Sequence, residues 1–102
     1  MSQSSSQHTT ALVRGADLTA DERYRLLSND LRRATIAVLD DRSGRVELSE
    51  VASAVAARVD DVDATAVDAE VRVETALHHA HLPRLDDYGV VEYDPEANVV
   101  VA

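Results

Sequence analysis

His81-Leu-Pro-Arg-Leu-Asp-Asp-Tyr-Gly-Val-Val-Glu-Tyr-Asp-Pro-Glu-Ala-Asn98, followed by Val99-Val-Val101, is the stretch on which the reading of this chain turns. It opens in a helical pattern and reaches Gly89, a residue free to take the left-handed conformation that ends a helix. Val90-Val-Glu-Tyr-Asp94 and Val99-Val-Val101 are two β-rich runs. Pro95-Glu-Ala-Asn98 joins them as a hairpin turn, with Pro95 preset for a type I turn and Asn98 tolerant of positive φ. Working upstream, apolar spacing predicts one long helix from about Val67 to Asp87. Pro83 falls inside it, removes a backbone donor and predicts a bend near Ala80 to Leu82.

Before that helix, Asp60-Asp-Val-Asp-Ala64 reads as an acidic linker, with Thr65 as a cap and Asp68 at the third helical position. A helix from Leu48 to Val59 carries Leu48, Val51, Ala52, Val55 and Val59 at helical spacing. Its cap is poor, since Glu47 stands where Ser, Thr or Asp is preferred. Arg45-Val-Glu47 is long enough only for an edge strand, and Asp41-Arg-Ser-Gly44 stops the helix before it. In that helix Leu31, Ala34, Thr35, Val38 and Leu39 form a stripe, with Ser28-Asn29-Asp30 supplying caps. Thr19-Ala-Asp-Glu22 fits a capping box opening a short helix through Leu27. Residues 1–17, rich in Ser, Gln and Thr, read as a disordered polar tail. Four helices, a vestigial strand and a closing hairpin predict an α+β fold over residues 18–102: a winged helix-turn-helix, mainly helical, with a C-terminal β-hairpin wing.

The stretch His81 to Val91 resembles the H-L-x-x-L-x-x-x-G-[LV]-[VI] signature of arsenic-repressor-like winged-helix regulators. Leu27-Ser-Asn-Asp-Leu-Arg-Arg33 is similar to the L-S-[ND]-x-x-R-R entry of the same superfamily. With Tyr88 to Pro95 included, the whole looks like a haloarchaeal winged-helix domain of unknown function related to those regulators. The resemblance implies DNA binding, with Leu82 and Leu85 in the core and Val90 and Val91 in the wing strand. The chain departs from the pattern in lacking metal-sensing cysteines and in its acidic linker and longer fourth helix.

The 102 residues suit one domain of ordinary size. All 10 basic residues are arginine, against 19 acids, and the net charge is −9. Such acidity without lysine is expected of a salt-adapted, halophilic cytoplasm, where a hydrated charged surface keeps proteins soluble. A GC-rich genome produces a similar Arg and Ala bias. The absence of cysteine excludes disulfides and thiolate chemistry. No apolar run reaches membrane-spanning length, and Met1 to His8 has neither the basic start nor the apolar run of a signal peptide. A cytoplasmic protein is expected.

Charge is unevenly placed. Residues 1–47 hold seven acids and seven arginines, whereas residues 48–102 hold 12 acids and only Arg58, Arg72 and Arg84. The half expected to face a duplex therefore carries the whole negative excess. With about five phosphate contacts, a tenfold rise in salt removes roughly four to five decades of affinity, so base edges and shape must contribute more. The base-edge candidates are Arg72, Thr75, His78 and His79. Arg84, Arg32 and Arg33 are the backbone candidates, and solvated surface paired with nearby acids is the plainer account of the arginines.

Apolar residues on two sides of the fourth helix, with Val73, Ala76, Leu77 and Ala80 on one and Val67, Val71, Leu82 and Leu85 on the other, suggest a homodimer through the first or fourth helix or a bend that uses both sides. Glu74, His78 and His81 share a stripe that has metal-ligand spacing, but His81 coincides with a packing histidine of the superfamily, and no metal or cofactor is expected. No nucleophile elbow, phosphate-cradling loop or H-E-x-x-H is present, so an enzyme is not expected. The alternative to DNA is a protein partner docked on the acidic face.

Overall fold

The computed structural model describes residues 11–42, 44–59 and 66–102, without the side chains of residues 11, 14, 66 and 67. The acidic linker, the Thr65 cap, Ser43 and residues 1–10 of the expected tail lie outside the described residues.

The described residues form a mostly helical α+β structure with a small three-stranded antiparallel sheet. Helix α1 (Ala11–Gly15) lies before residue 18, within the stretch that reads from the sequence as a polar tail. Val13 has 0% exposure and belongs to the core, and α1 packs on α3 (Asp30–Asp40). A five-residue helix is too short to stand on its own periodicity, so only this packing accounts for it. On α3, Ile36, outside the predicted stripe, is buried beside Thr35, Val38 and Leu39.

Helix α2 (Ala20–Leu26) starts with the expected capping box: Glu22 N–H donates to Thr19 Oγ1 at 3.1 Å, and Thr19 N–H to Glu22 Oε1 at 2.9 Å. Asn29 is the cap of α3, accepting from Arg32 N–H at 3.0 Å. Gly44, at φ +78°, leads into strand β1 (Arg45–Glu47).

Helix α4 (Leu48–Val59) follows β1 directly. Its weak cap is made good from outside, because Leu48 N–H donates to the Asn98 carbonyl at 2.8 Å. Helix α5 (Ala66–Ala76) packs against α4, then passes into a π-helical turn (Leu77–His81) and α6 (Leu82–Asp87). The predicted bend is this π turn. Leu82 N–H bonds to the Leu77 carbonyl, five residues back. The wider turn precedes Pro83, which has no N–H and whose ring clashes with the carbonyl an α-helix would place there.

An uninterrupted α-helix would set Leu77 and Leu82 about 140° apart. Separated by one turn of π-helix they come much closer to one side, and Leu77, Leu82 and Leu85 are all fully buried. Leu77 from one predicted side and Leu82 and Leu85 from the other thus face the core together, while Ala80 and Val71 (57%) are left exposed.

A Schellman ending closes α6: Val90 N–H donates to Leu85 O and Gly89 N–H to Asp86 O, both at 2.9 Å, with Gly89 at φ +78°. Strands β2 (Glu92–Asp94) and β3 (Val99–Val101) form the hairpin, with Asn98 at φ 57°. The sheet order is β1-β3-β2, and Val100 stands between Val46 and Tyr93 on the buried face.

Replacing Val13 with Ala should lower the unfolding free energy by about 1–2 kcal/mol, as for lost burial of a core side chain. Chemical denaturation measures it. A change within about 0.5 kcal/mol, the range of surface substitutions, would place α1 outside the domain.

Candidate functional site

From α5 through α6 the outward side of the chain carries Arg72, Thr75, His79 and Arg84, all exposed. Thr75 donates its hydroxyl to the Val71 carbonyl at 2.8 Å, which keeps the side chain close to the helix with its oxygen still able to accept. Beside this strip lies a cleft of about 280 Å³ between the long helix, the start of α4 and the hairpin turn. Leu48, Val71, Glu74, Thr75, His78, His79 and Asn98 line it.

His78 and His79 meet edge to face, with ring centroids 4.8 Å apart. His78 Nδ1 lies 2.6 Å from the Tyr93 hydroxyl. Burial, then Glu74 and Asp94, push the Tyr93 phenol above its usual range. It keeps its proton near neutrality, and its hydrogen bond with His78, whose direction follows the imidazole tautomer, ties the π turn to β2.

The structure separates the predicted residues into three places. Thr75, His78 and His79 share the cleft. Arg72 lies over a smaller apolar groove with Leu31, Ala56, Val59, Ala69 and Val73. Arg84 borders a recess with His79, Pro83, Asp87 and Tyr88.

Arg32, a candidate for phosphate contact, is engaged within the chain. It donates to the Leu26 carbonyl at 2.9 Å and the Arg25 carbonyl at 3.1 Å, and its third nitrogen faces His81 Nδ1 at 3.4 Å. It closes the end of α2 and holds it to the π turn. Arg33 is exposed, paired with Asp30 and bonded to the Leu27 carbonyl.

The Glu74, His78 and His81 stripe also fails to converge. His78 turns to Tyr93 and His81 to Arg32, because the π turn changes the angle between residues three apart. Among the described residues no group of three His, Cys, Asp or Glu is placed to hold a metal.

His81 is half-buried, and its pKa is lowered by burial first and then by Arg32 and Arg84. Arg32 is itself lowered, by burial and Arg84, with Tyr88 opposing.

Two residues emerge only in three dimensions. Asp86 Oδ2 accepts from Tyr93 N–H at 3.0 Å, covering the outer edge of β2. Asp94 Oδ1 accepts from Glu96 and Ala97 N–H at 3.0 and 3.2 Å, so it shapes the hairpin turn. The alternation of Val91 and Tyr93 was a sequence signal that Tyr93 points inward; nothing local distinguished Asp86 from its neighbour Asp87.

Fold and cleft together define a small α+β domain whose longest helix leans on a three-stranded sheet and presents polar side chains along its outer side. Residues 24–101 match the family model described as Domain of unknown function (DUF7344), and the chain belongs to that family. No curated protein and no solved structure matches the chain. No helix among the described residues is long and apolar enough to cross a membrane.

The lowered His81 pKa carries a sign. The unfolded imidazole takes up a proton near 6.5 while the folded one resists, so the unfolded state binds more protons as pH falls. Stability present above that value should decline as pH falls through it. The His81→Gln variant should lose this part of the decline in pH-resolved denaturation; an unchanged slope would remove His81 as its source.

Proposed function

We propose that this domain is a winged helix-turn-helix regulator that binds duplex DNA in a salt-adapted cytoplasm. The observation that carries the reading is the exposed strip Arg72, Thr75 and His79 on the helix directly before a hairpin. The helix–strand–helix–helix–hairpin order and the β1-β3-β2 sheet support it. In this assignment α4 is the support helix, the unit from α5 to α6 enters the major groove, and the β2–β3 turn is the wing.

Arg72 offers the paired donors that suit guanine, and Thr75 and His79 can donate or accept at base edges. Val71 offers an apolar contact for a thymine methyl. Two copies reading paired half-sites fit this mode, and Tyr24, 75% exposed on α2, is available for such pairing.

One observation favours a second reading, a protein partner with a basic surface. The hairpin exposes Glu92, Asp94 and Glu96 and carries no arginine between Val90 and Ala102. A wing of that charge repels phosphate and attracts cations.

The two readings separate on one pair of variants. Against a duplex selected from a random pool in molar KCl, Arg72→Ala should bind about tenfold more weakly, the cost of a lost base-edge contact. Arg45→Ala, which removes the same charge from β1, should change affinity by less than about threefold. Fluorescence anisotropy measures both. Equal losses, or no selectable sequence, would overturn the DNA reading.

A further inference from the structure

Where the π turn and α6 meet the junction of α2 and α3, three basic side chains lie near one another, and among the described residues no carboxylate is paired to them. Arg32 comes from α3, its guanidinium anchored by the Arg25 and Leu26 carbonyls and 3.4 Å from His81 Nδ1. Arg84 follows His81 by three residues, which puts the two on neighbouring positions of the helix surface. Its charge acts on both His81 and Arg32.

Arginines elsewhere on this surface have acids one turn away and use them: Arg25 pairs with Asp21, and Arg33 with Asp30. Arg84 has Asp87 three residues on, in the same recess. Yet among the described residues its side chain makes no ion pair and no hydrogen bond. Its exposed guanidinium acts on two other basic groups, and its donors have no partner among the described residues.

The facing geometry also sets the tautomer of His81. A guanidinium only donates, so the Nδ1 that faces Arg32 is the acceptor and the ring proton sits on Nε2. Burial and the two arginines keep this imidazole neutral. Its Nε2–H has no partner among the described residues. Arg84 and His81, on neighbouring helix positions, thus each carry N–H donors without a partner among the described residues, and the Arg32 charge lies beside His81. Charge with directed donors is what an oxyanion requires, and two guanidiniums match a dianion.

We propose that Arg84 and His81, backed by Arg32, form a binding site for a phosphate-type oxyanion. A backbone phosphate and a free inorganic anion present the same oxygens, so the site does not depend on the DNA reading above.

The test uses the full chain, with sulfate as the probe because its charge is constant across neutral pH. At fixed ionic strength in chloride, sulfate should shift the NMR signals of the His81 ring and the Arg84 guanidinium saturably. Acetate should not. Arg84→Gln should weaken sulfate binding by about tenfold, one charge-assisted contact, and His81→Gln by a smaller factor. Arg45→Gln should leave it unchanged, with thermal melts confirming that each variant is folded.

A short duplex that competes with sulfate would identify a backbone phosphate as the natural occupant; sulfate binding without duplex binding would identify a free anion and overturn the DNA reading alone. Duplex binding that Arg84→Gln leaves intact, with no saturable sulfate shift, would overturn the anion site alone. Equal shifts with acetate, or equal losses in Arg45→Gln, would also overturn it.

Discussion

Pro83 has no N–H to donate, and its ring excludes the carbonyl that an α-helix would place four residues earlier. The chain responds by widening one turn, so that Leu82 N–H reaches back to Leu77. Much of the arrangement depends on this adjustment. It rotates Leu82 and Leu85 toward the side of Leu77, and those three leucines join the helices to the sheet in one core. It also distributes three histidines from a single turn to three surroundings. His78 turns to Tyr93, His81 to Arg32, and His79 stays exposed beside the cleft. A regular helix would have left the leucines on two sides and His78 and His81 on one stripe.

The hairpin is fastened to the helices by polar contacts that come in from outside it. Asp86 holds the outer edge of β2, Tyr93 reaches His78, and the Asn98 carbonyl takes the first N–H of α4. Each contact also removes a liability: an open strand edge, a buried phenol, an uncapped helix. Strands of three residues are too short for ladder bonds alone to hold them. The cleft between hairpin and helix keeps its shape because its walls are tied at both ends.

Arginine use follows a related logic. Arg32 and Arg33 close carbonyls at the end of α2, and Arg42 joins the Val38 carbonyl to Glu50 at 3.3 Å. Arg42 spans α3 and α4 with five donors in a rigid plane, which an ammonium does not provide. Several arginines that look like a basic surface in the sequence are therefore internal fasteners. The surface that faces outward from α5 to the hairpin is left strongly acidic, with Arg72 and Arg84 the cations on the long helix.

Local chemistry was enough to read the order of elements from Thr19 onward, the capping box at Thr19, the asparagine cap of α3, the left-handed positions at Gly44, Gly89 and Asn98, and a break in the helix near Pro83. Each depends on residues within a turn or two of one another, so the sequence carries it whole. It was equally enough to propose the long helix as the presenting element. What required the tertiary structure was every feature joining residues far apart in the chain. The helix at Ala11 exists because α3 is there to bury Val13. Arg32 becomes a fastener because α2 ends beside it, and Asp86 differs from Asp87 because a strand passes one of them. Periodicity assumes a constant angle per residue, and one wide turn breaks that assumption. From there on, which side chains faced the core and which faced outward was decided by packing.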